Sequence, residues 1–327
     1  MSKMSKLAIA VVALSFVTFK NSYASDLVIG SRVWFSTGET EWSHCASVAC
    51  GGSSGTVTLN SVAYTYQGGD PTSKLNYSDI DATIVEIFAK KLLGSGYRVS
   101  GTIGVGNGDG GTQRDQDWIT VNGVTYEFSD SISTIRDTKV QHATIDFGYT
   151  FSRERLKITP FLGYVRYNEK LSAYGLTYLP NDLNLSYTAV ANSTKVFDNE
   201  ITWTGFRLGS EFEWQLSEKA NVTINAAYVL NAEGKNDDGH VLRTSSNDLG
   251  PTPNIKIDGS GDGWMFDLLG SYNISKSTDV ELGYRWWRFE ADDGSTRFGT
   301  TFTPAYKTRT LFSERSGFLL GLKYRFN

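Results

Sequence analysis

Proline is scarce in this chain, six among 327 residues, cysteine is scarcer with two, and histidine is limited to three. Few prolines and no Pro/Gly/Ser-rich linker leave nothing to divide the sequence into separate domains. Basic charge is not in excess either, since the formal net charge is −4. An acidic chain of this kind argues against nucleic acid as a partner. No apolar run reaches the ~20 residues that a spanning helix requires. If the chain enters a membrane, it does so without helices.

The longest apolar run, Leu7 to Phe19, follows Lys3 and Lys6 and is closed by Ser22-Tyr23-Ala24. A basic start, a short apolar stretch and a small-x-small site describe a secretory signal, expected over 1–24. Its removal takes away Lys3, Lys6 and Lys20 and no acid, which moves the charge from −4 to −7. In an exported chain, Cys45 and Cys50 of "CASVAC" are most simply a local disulfide. The sharper alternative, a zinc pair, has only His44 nearby, and Zn²⁺ normally needs more ligands.

Glycine, tyrosine, tryptophan and phenylalanine are abundant, while mean hydropathy is −0.27. A transmembrane barrel has this signature, because only alternate side chains meet lipid. Near the C-terminus Phe318, Leu320, Leu322, Tyr324 and Phe326 share one face, and Gly321, Lys323 and Arg325 share the other. The stretches 222–230, 144–151 and 97–105 alternate in the same way. Short polar turns fall near 93–96, 152–155, 217–221 and 275–279, and long loops near 37–73, 107–138, 172–199, 231–260 and 292–311. The fold expected over 25–327 is all-β, an antiparallel up-and-down barrel of about ten strands with periplasmic turns and extracellular loops. Ten strands leave a narrow interior. Arg98, Asp146, Asp267, Glu281, Arg285, Lys323 and Arg325 should pair across it. Trp203, Trp214, Trp264, Trp286 and Trp287 are candidates for interfacial girdles, and Trp42 and Trp118 for packing in loops above them.

Two acidic segments leave strands on the loop side. "GGTQRDQDWIT" carries Asp115 and Asp117, and "KNDDGHVLRT" carries Asp238 and His240. Residues two apart on an extended segment point the same way. A carboxylate beside an imidazole fixes its tautomer and makes it a better base, so Asp238 would serve His240. Two adjacent carboxylates tend to share a proton, and Asp115 with Asp117 would then hold a water or donate to an oxyanion. The bland alternatives are a turn whose aspartates cap backbone amides, or a Ca²⁺ loop. His142 reads as a structural strand residue and His44 as a solvated loop residue. Strand parity constrains the hydrolytic reading: the motifs face the mouth only if glycine-permitted bulges at Gly106–Gly111 and Gly234 shift the register.

"GGTQRDQDW" and "NDDGH" resemble the Asp-x-Asp-Trp and Asp-x-His segments of the omptins, ten-stranded outer-membrane endopeptidases of Gram-negative bacteria. "IGSRVWFSTGETE" resembles the first omptin strand, and the hairpin from Ser73 to Gly111 resembles the one before the aspartate pair. The resemblance implies a surface endopeptidase of the cell outer membrane. In it Asp115 and Asp117 bind the water and Asp238 and His240 form the dyad. Glu41 falls at a pocket acid and Asn236 at a second, so the substrate-binding residues would be Glu41 and Asn236. With Asn236 neutral, the family preference for Arg or Lys does not carry over. The resemblance implies lipopolysaccharide dependence and no other cofactor. The expected partners are outer-membrane lipid and a peptide or protein substrate, with the barrel as a monomer. The chain departs from the family by ending on Asn327 after Phe326, by its cysteine loop, and in lacking matched lipopolysaccharide-binding arginines. The rival readings are a barrel without activity that binds through its loops, and a small channel.

Overall fold

The computed structural model describes residues 27–45, 54–59, 62–299 and 305–326. The expected signal segment 1–24 and Cys50 lie outside them. Among the described residues there are fourteen antiparallel strands in one sheet. They are β1 (Leu27–Cys45), β2 (Ser54–Leu59), β3 (Val62–Ser78), β4 (Ala82–Leu92), β5 (Tyr97–Gly108), β6 (Thr112–Val121) and β7 (Val124–Tyr149). There follow β8 (Phe151–Arg153), β9 (Leu156–Tyr178), β10 (Val190–Gln215), β11 (Ala220–His240), β12 (Ile255–Asn273), β13 (Thr278–Phe298) and β14 (Ala305–Phe326). No helix among the described residues is long and apolar enough to cross a membrane.

The sheet closes on itself. At its lower level the circuit runs β1, β4, β5, β7, β9, β10, β11, β12, β13, β14 and back to β1. At its upper level β3 replaces β4 and β6 replaces β5, each pair being one barrel strand broken by a short interruption. β8 continues β7 along β9, and β2 pairs with β3 beyond the end of β1, so the fourteen strands fill ten barrel positions. Closure removes the exposed edges that an open sheet would present.

The outward residues of the lower half are large and apolar: Phe35, Ile103, Ile145, Leu162, Phe206, Leu268, Leu282 and Phe318 are all more than 40 % exposed. Burying such a belt needs lipid. Trp214 and Trp264 belong to it, whereas Trp203 and Trp287 do not. Those two point into the lumen and are buried, because Trp203 donates to Ser313 Oγ (2.9 Å) and Trp287 packs on Trp34 and His142.

Ion pairs fill the lumen at the level of the belt. Arg285 binds Asp267 (2.8 Å) and Glu86, Arg32 binds Glu281 (2.9 Å), Arg98 and Lys90 bind Glu211, and Arg207 binds Asp146 (3.3 Å). Lys323 reaches Glu281 and Arg325 reaches Asp279. Each buried charge thus has a counter-charge, as burial away from water demands. His142 belongs here too, with Nε2 2.8 Å from Glu86.

Above the belt the strands continue where loops were expected. The 107–138 and 231–260 segments contain β6, much of β7, the end of β11 and the start of β12, so β7 and β10 reach 26 residues each. Polar residues face out there because water, not lipid, surrounds them, which erases the apolar half of the alternation while the pairing persists.

A raised cleft at the barrel mouth

Both aspartate motifs lie inside strands, and both face the lumen. In β5 the even residues Ser100 and Gly104 are buried, whereas in β6 the odd residues Gln113, Ile119 and Val121 are. The switch occurs at the break between them, where Gly110 and Gly111 take φ of +117° and +114°, open to glycine and strained for other residues. In β11 the odd residues Thr223, Ala227 and Val229 are buried, then the even residues Ala232, Asn236, Asp238 and His240. This second switch was expected at Gly234. It falls instead at Asn231, in the left-handed region (φ +48°), where the register to β12 slips between Val229 and Ala232. Asparagine tolerates that conformation better than most side chains.

Asp238 is eight residues beyond Leu230 of the belt, on the order of 20 Å higher after allowing for strand tilt. It is fully buried, and its Oδ2 accepts hydrogen bonds from Tyr77 Oη (2.8 Å) and Trp42 Nε1 (3.1 Å). Its Oδ1 faces His240 Nε2 at 3.6 Å, and neither atom has another partner. The His240 ring stands edge-on to Phe197 (4.8 Å between centroids). Its backbone is clamped by Asn254, whose Oδ1 accepts from His240 N (2.9 Å) while Nδ2 donates to His240 O (3.2 Å). Tyr77 and Asn254 were not among the expected site residues, and Trp42, expected to pack in a loop, is a buried donor on β1.

Opposite, Asp115 and Asp117 line a cleft of about 300 Å³ together with His240, Arg243, Trp42 and His44. Ser73 holds Asp117 by its hydroxyl. Asp115 Oδ1 is buried without a partner. Arg243 is anchored on Asp248 by paired contacts, the shortest 2.7 Å, and its positive charge faces both aspartates. His44, expected as a solvated loop residue, is buried at the end of β1 between Trp42 and Phe298.

Burial sets the protonation of these groups, since each charged form loses its water. It raises Asp115 well above the ordinary carboxylate range, with repulsion from Asp117 and Asp238 adding to the effect and Arg243 opposing it. It raises Asp117 to about 6. Asp238 is pushed up to about 7 in spite of its two donors, and His240 is pulled down to about 3 by burial and then by Arg243. Near neutral pH the cleft thus holds a neutral imidazole and a carboxylate pair that retains a proton.

The other expected site residues are not brought into this cleft. Glu41 points to the outer face of β1, bound by Lys74 (2.7 Å) and Asn76 (3.1 Å). Asn236 faces inward two residues before Asp238, buried to 1 %, with both side-chain polar atoms unpartnered. Cys45 is buried at the end of β1, and its expected partner Cys50 lies outside the described residues. Among the described residues no group of three or more His, Cys, Asp or Glu is arranged to hold a metal ion.

The family model of the Protochlamydia outer membrane protein (Pom) matches residues 59–310, most of the chain. The chain belongs to the Pom family. No curated protein sequence matches it. Among solved structures, the Pom barrel is similar to the outer membrane protease OmpT of Escherichia coli, with a TM-score of 0.66 and 13 % identity over 94 % of this chain and 99 % of that one. It also matches the translocator domain of the autotransporter NalP from Neisseria meningitidis, at TM-score 0.35 and 12 % identity over 99 % of this chain and 95 % of that one. A FadL homologue of Pseudomonas aeruginosa follows at 0.31 and 6 %, over 92 % and 91 %. The last two likenesses are too distant to carry an argument, and the first establishes the fold. Family and fold together place the protein in the outer membrane, with its apolar belt in the lipid.

Proposed function

We propose that the Pom barrel is a surface endopeptidase of omptin-like chemistry, hydrolysing peptide bonds in the cleft above its membrane belt. The observation that carries this reading is the convergence of the Asp115/Asp117 pair and of His240, with Asp238 buried behind it, on one cleft, each motif turned inward by its own change of strand parity. A turn or a Ca²⁺ loop would not account for aspartates in the middle of β6.

With Nε2 turned to Asp238 Oδ1, the neutral imidazole leaves Nδ1 to accept a proton. A water between His240 and the aspartate pair gives that proton to Nδ1 as its oxygen bonds to the peptide carbonyl carbon. The carbonyl oxygen becomes an oxyanion, and the protonated member of the Asp115/Asp117 pair donates to it. The Asp238 carboxylate stabilises the imidazolium. When the carbon–nitrogen bond breaks, the imidazolium returns the proton to the leaving amine, and no covalent intermediate forms. The ion pairs that fill the lumen weigh against a channel.

The test uses the mature chain refolded in detergent, with and without lipopolysaccharide, and a quenched-fluorescent peptide library. Wild type should cleave, most strongly with lipopolysaccharide. Asp238→Asn and His240→Ala should lose about 10²–10⁴-fold, the usual worth of a general base. Their heat-modifiable migration on gels, which reports barrel folding, should be unchanged. Undiminished cleavage by either folded variant removes the dyad, and a folded wild type that cleaves nothing removes the enzyme.

A further inference from the structure

The polar residues of the cleft form a line across the barrel mouth, and aromatic groups flank that line on both sides. At the upper level the circuit runs β1, β3, β6, β7, β9, β10, β11, β12, β13, β14, with the aspartate pair on β6 and the dyad on β11. On one side, His44 packs against Phe298 (4.8 Å between centroids) and Tyr306 (6.0 Å), and Phe298 against Tyr306 (5.6 Å). These three line the cleft. His44 is 6 % exposed, its Nδ1 has no partner, and burial pulls its pKa down to about 4, so the platform is uncharged. On the other side, outside the lining of the cleft itself, Tyr178 and Tyr187 stack at 4.7 Å, and both rings lie close enough to feel the charge of Asp117.

Strand register fixes the spacing. His44 pairs with Ser73, and Ser73 with Asp117. Asp115 pairs with Ser131, and Ser131 with Tyr178. Each platform is therefore two strands from an aspartate, about 10 Å at ~4.8 Å per strand. His44 and Tyr178 are four strands apart, roughly 15–20 Å across the curved wall. An extended peptide advancing ~3.4 Å per residue covers that span in about five steps.

Charge disfavours the alternative of a cationic substrate side chain. Glu41 faces outward in its ion pair with Lys74, Asn236 is neutral, and Arg243 adds a positive charge at the cleft. We infer that the cleft takes extended peptides carrying two aromatic or large apolar side chains about five residues apart, one for each platform, with the scissile bond between them. This rests on the hydrolytic reading of the same cleft and names its substrate class.

Three quenched-fluorescent peptides with polar ends test it in the refolded full mature chain: two phenylalanines with four alanines between them, two lysines with four alanines, and two phenylalanines with two alanines. Binding of each to the His240→Ala variant is measured by anisotropy, separately from cleavage by wild type. The long phenylalanine peptide should exceed both others by about tenfold in affinity and in kcat/KM, the worth of one aromatic contact. Phe298→Ala and Tyr178→Ala should each cancel that advantage through KM, and Tyr178→Phe should restore it. Equal use of the three peptides, or preference for the lysine peptide, overturns the inference. Selective binding of the long phenylalanine peptide without cleavage supports it and overturns the hydrolytic reading instead.

Discussion

Replacing Tyr77 by phenylalanine removes one oxygen, and with it one of the two hydrogen bonds that hold Asp238 Oδ2. A hydrogen bond to a charged group is worth about 1.5–3 kcal/mol, or about 1–2 pH units in the carboxyl's pKa. Asp238 is already raised to about 7 by burial, with Trp42 and Tyr77 opposing the rise. Without Tyr77 it should titrate at about 8–9. Below its pKa the carboxyl is neutral, its proton lies on Oδ1 facing His240 Nε2, and the imidazole loses its counter-charge. Activity should therefore rise with pH through about 7 in the wild type and about 8–9 in Tyr77→Phe. At pH 7 about half of the wild-type carboxyl is ionised, and about a tenth to a hundredth in the variant, so the rate there should fall roughly 5–50-fold. It should recover by pH 9–10. The assay is kcat/KM against pH with one good peptide. A variant whose acid limb coincides with that of the wild type refutes the role of Tyr77. A uniform loss at every pH assigns the effect to packing.

Three more outcomes follow from named contacts. Asn236→Asp buries a carboxylate on the inward face two residues before Asp238 and outside the cleft, so like-charge repulsion should push Asp238 higher and move the acid limb of kcat/KM to higher pH; a pH profile that coincides with the wild type's would remove that coupling. Deleting Asn231 removes the bulge that turns Asp238 and His240 inward, so cleavage should disappear while heat-modifiable migration persists. Retained cleavage would show that parity is restored elsewhere on β11. Arg285→Met leaves Glu86 and Asp267 in the lumen without this cation, and a broken buried pair costs about 3–5 kcal/mol. The variant should convert to the unfolded gel form at lower temperature or denaturant, and an unchanged transition would remove the network from the account of stability.

Much of the barrel can be read directly in the chain. Where lipid covers one face, Phe318 to Phe326 must alternate with Lys323 and Arg325, and the short turns carry their own polar residues. The upper strands are harder to read, because water bathes their outer face and no apolar residue is required there. Segments such as 107–138 consequently resemble loops, although β6 and β7 pair through them. The aspartates were legible by type and spacing, and the need for a parity change was legible as well. Its position on β11 was not, since Asn231 serves where Gly234 was the natural candidate. The supporting residues were hidden by distance along the chain: Tyr77 meets Asp238 across 161 positions. Nothing in the neighbourhood of either residue signals that contact.

The two parity changes explain how a narrow barrel can carry a polar site. Within the belt, inward positions are taken by charges that neutralise one another and leave no room for a substrate. A strand that kept one parity from belt to rim would send Asp115, Asp117, Asp238 and His240 outward into water, where carboxylates keep ordinary acidity and an imidazole has no fixed partner. One extra residue in β11 and a glycine break between β5 and β6 rotate the upper strands by one position. The same polar residues then meet inside a wall that shields them from water, and that shielding raises the carboxyls and keeps His240 neutral. Lifting the site on the order of 20 Å above the lipid leaves it where the proposed peptide substrates would meet it. The paired charges of the belt and the polar cleft of the rim thus occupy different levels of the same ten strands.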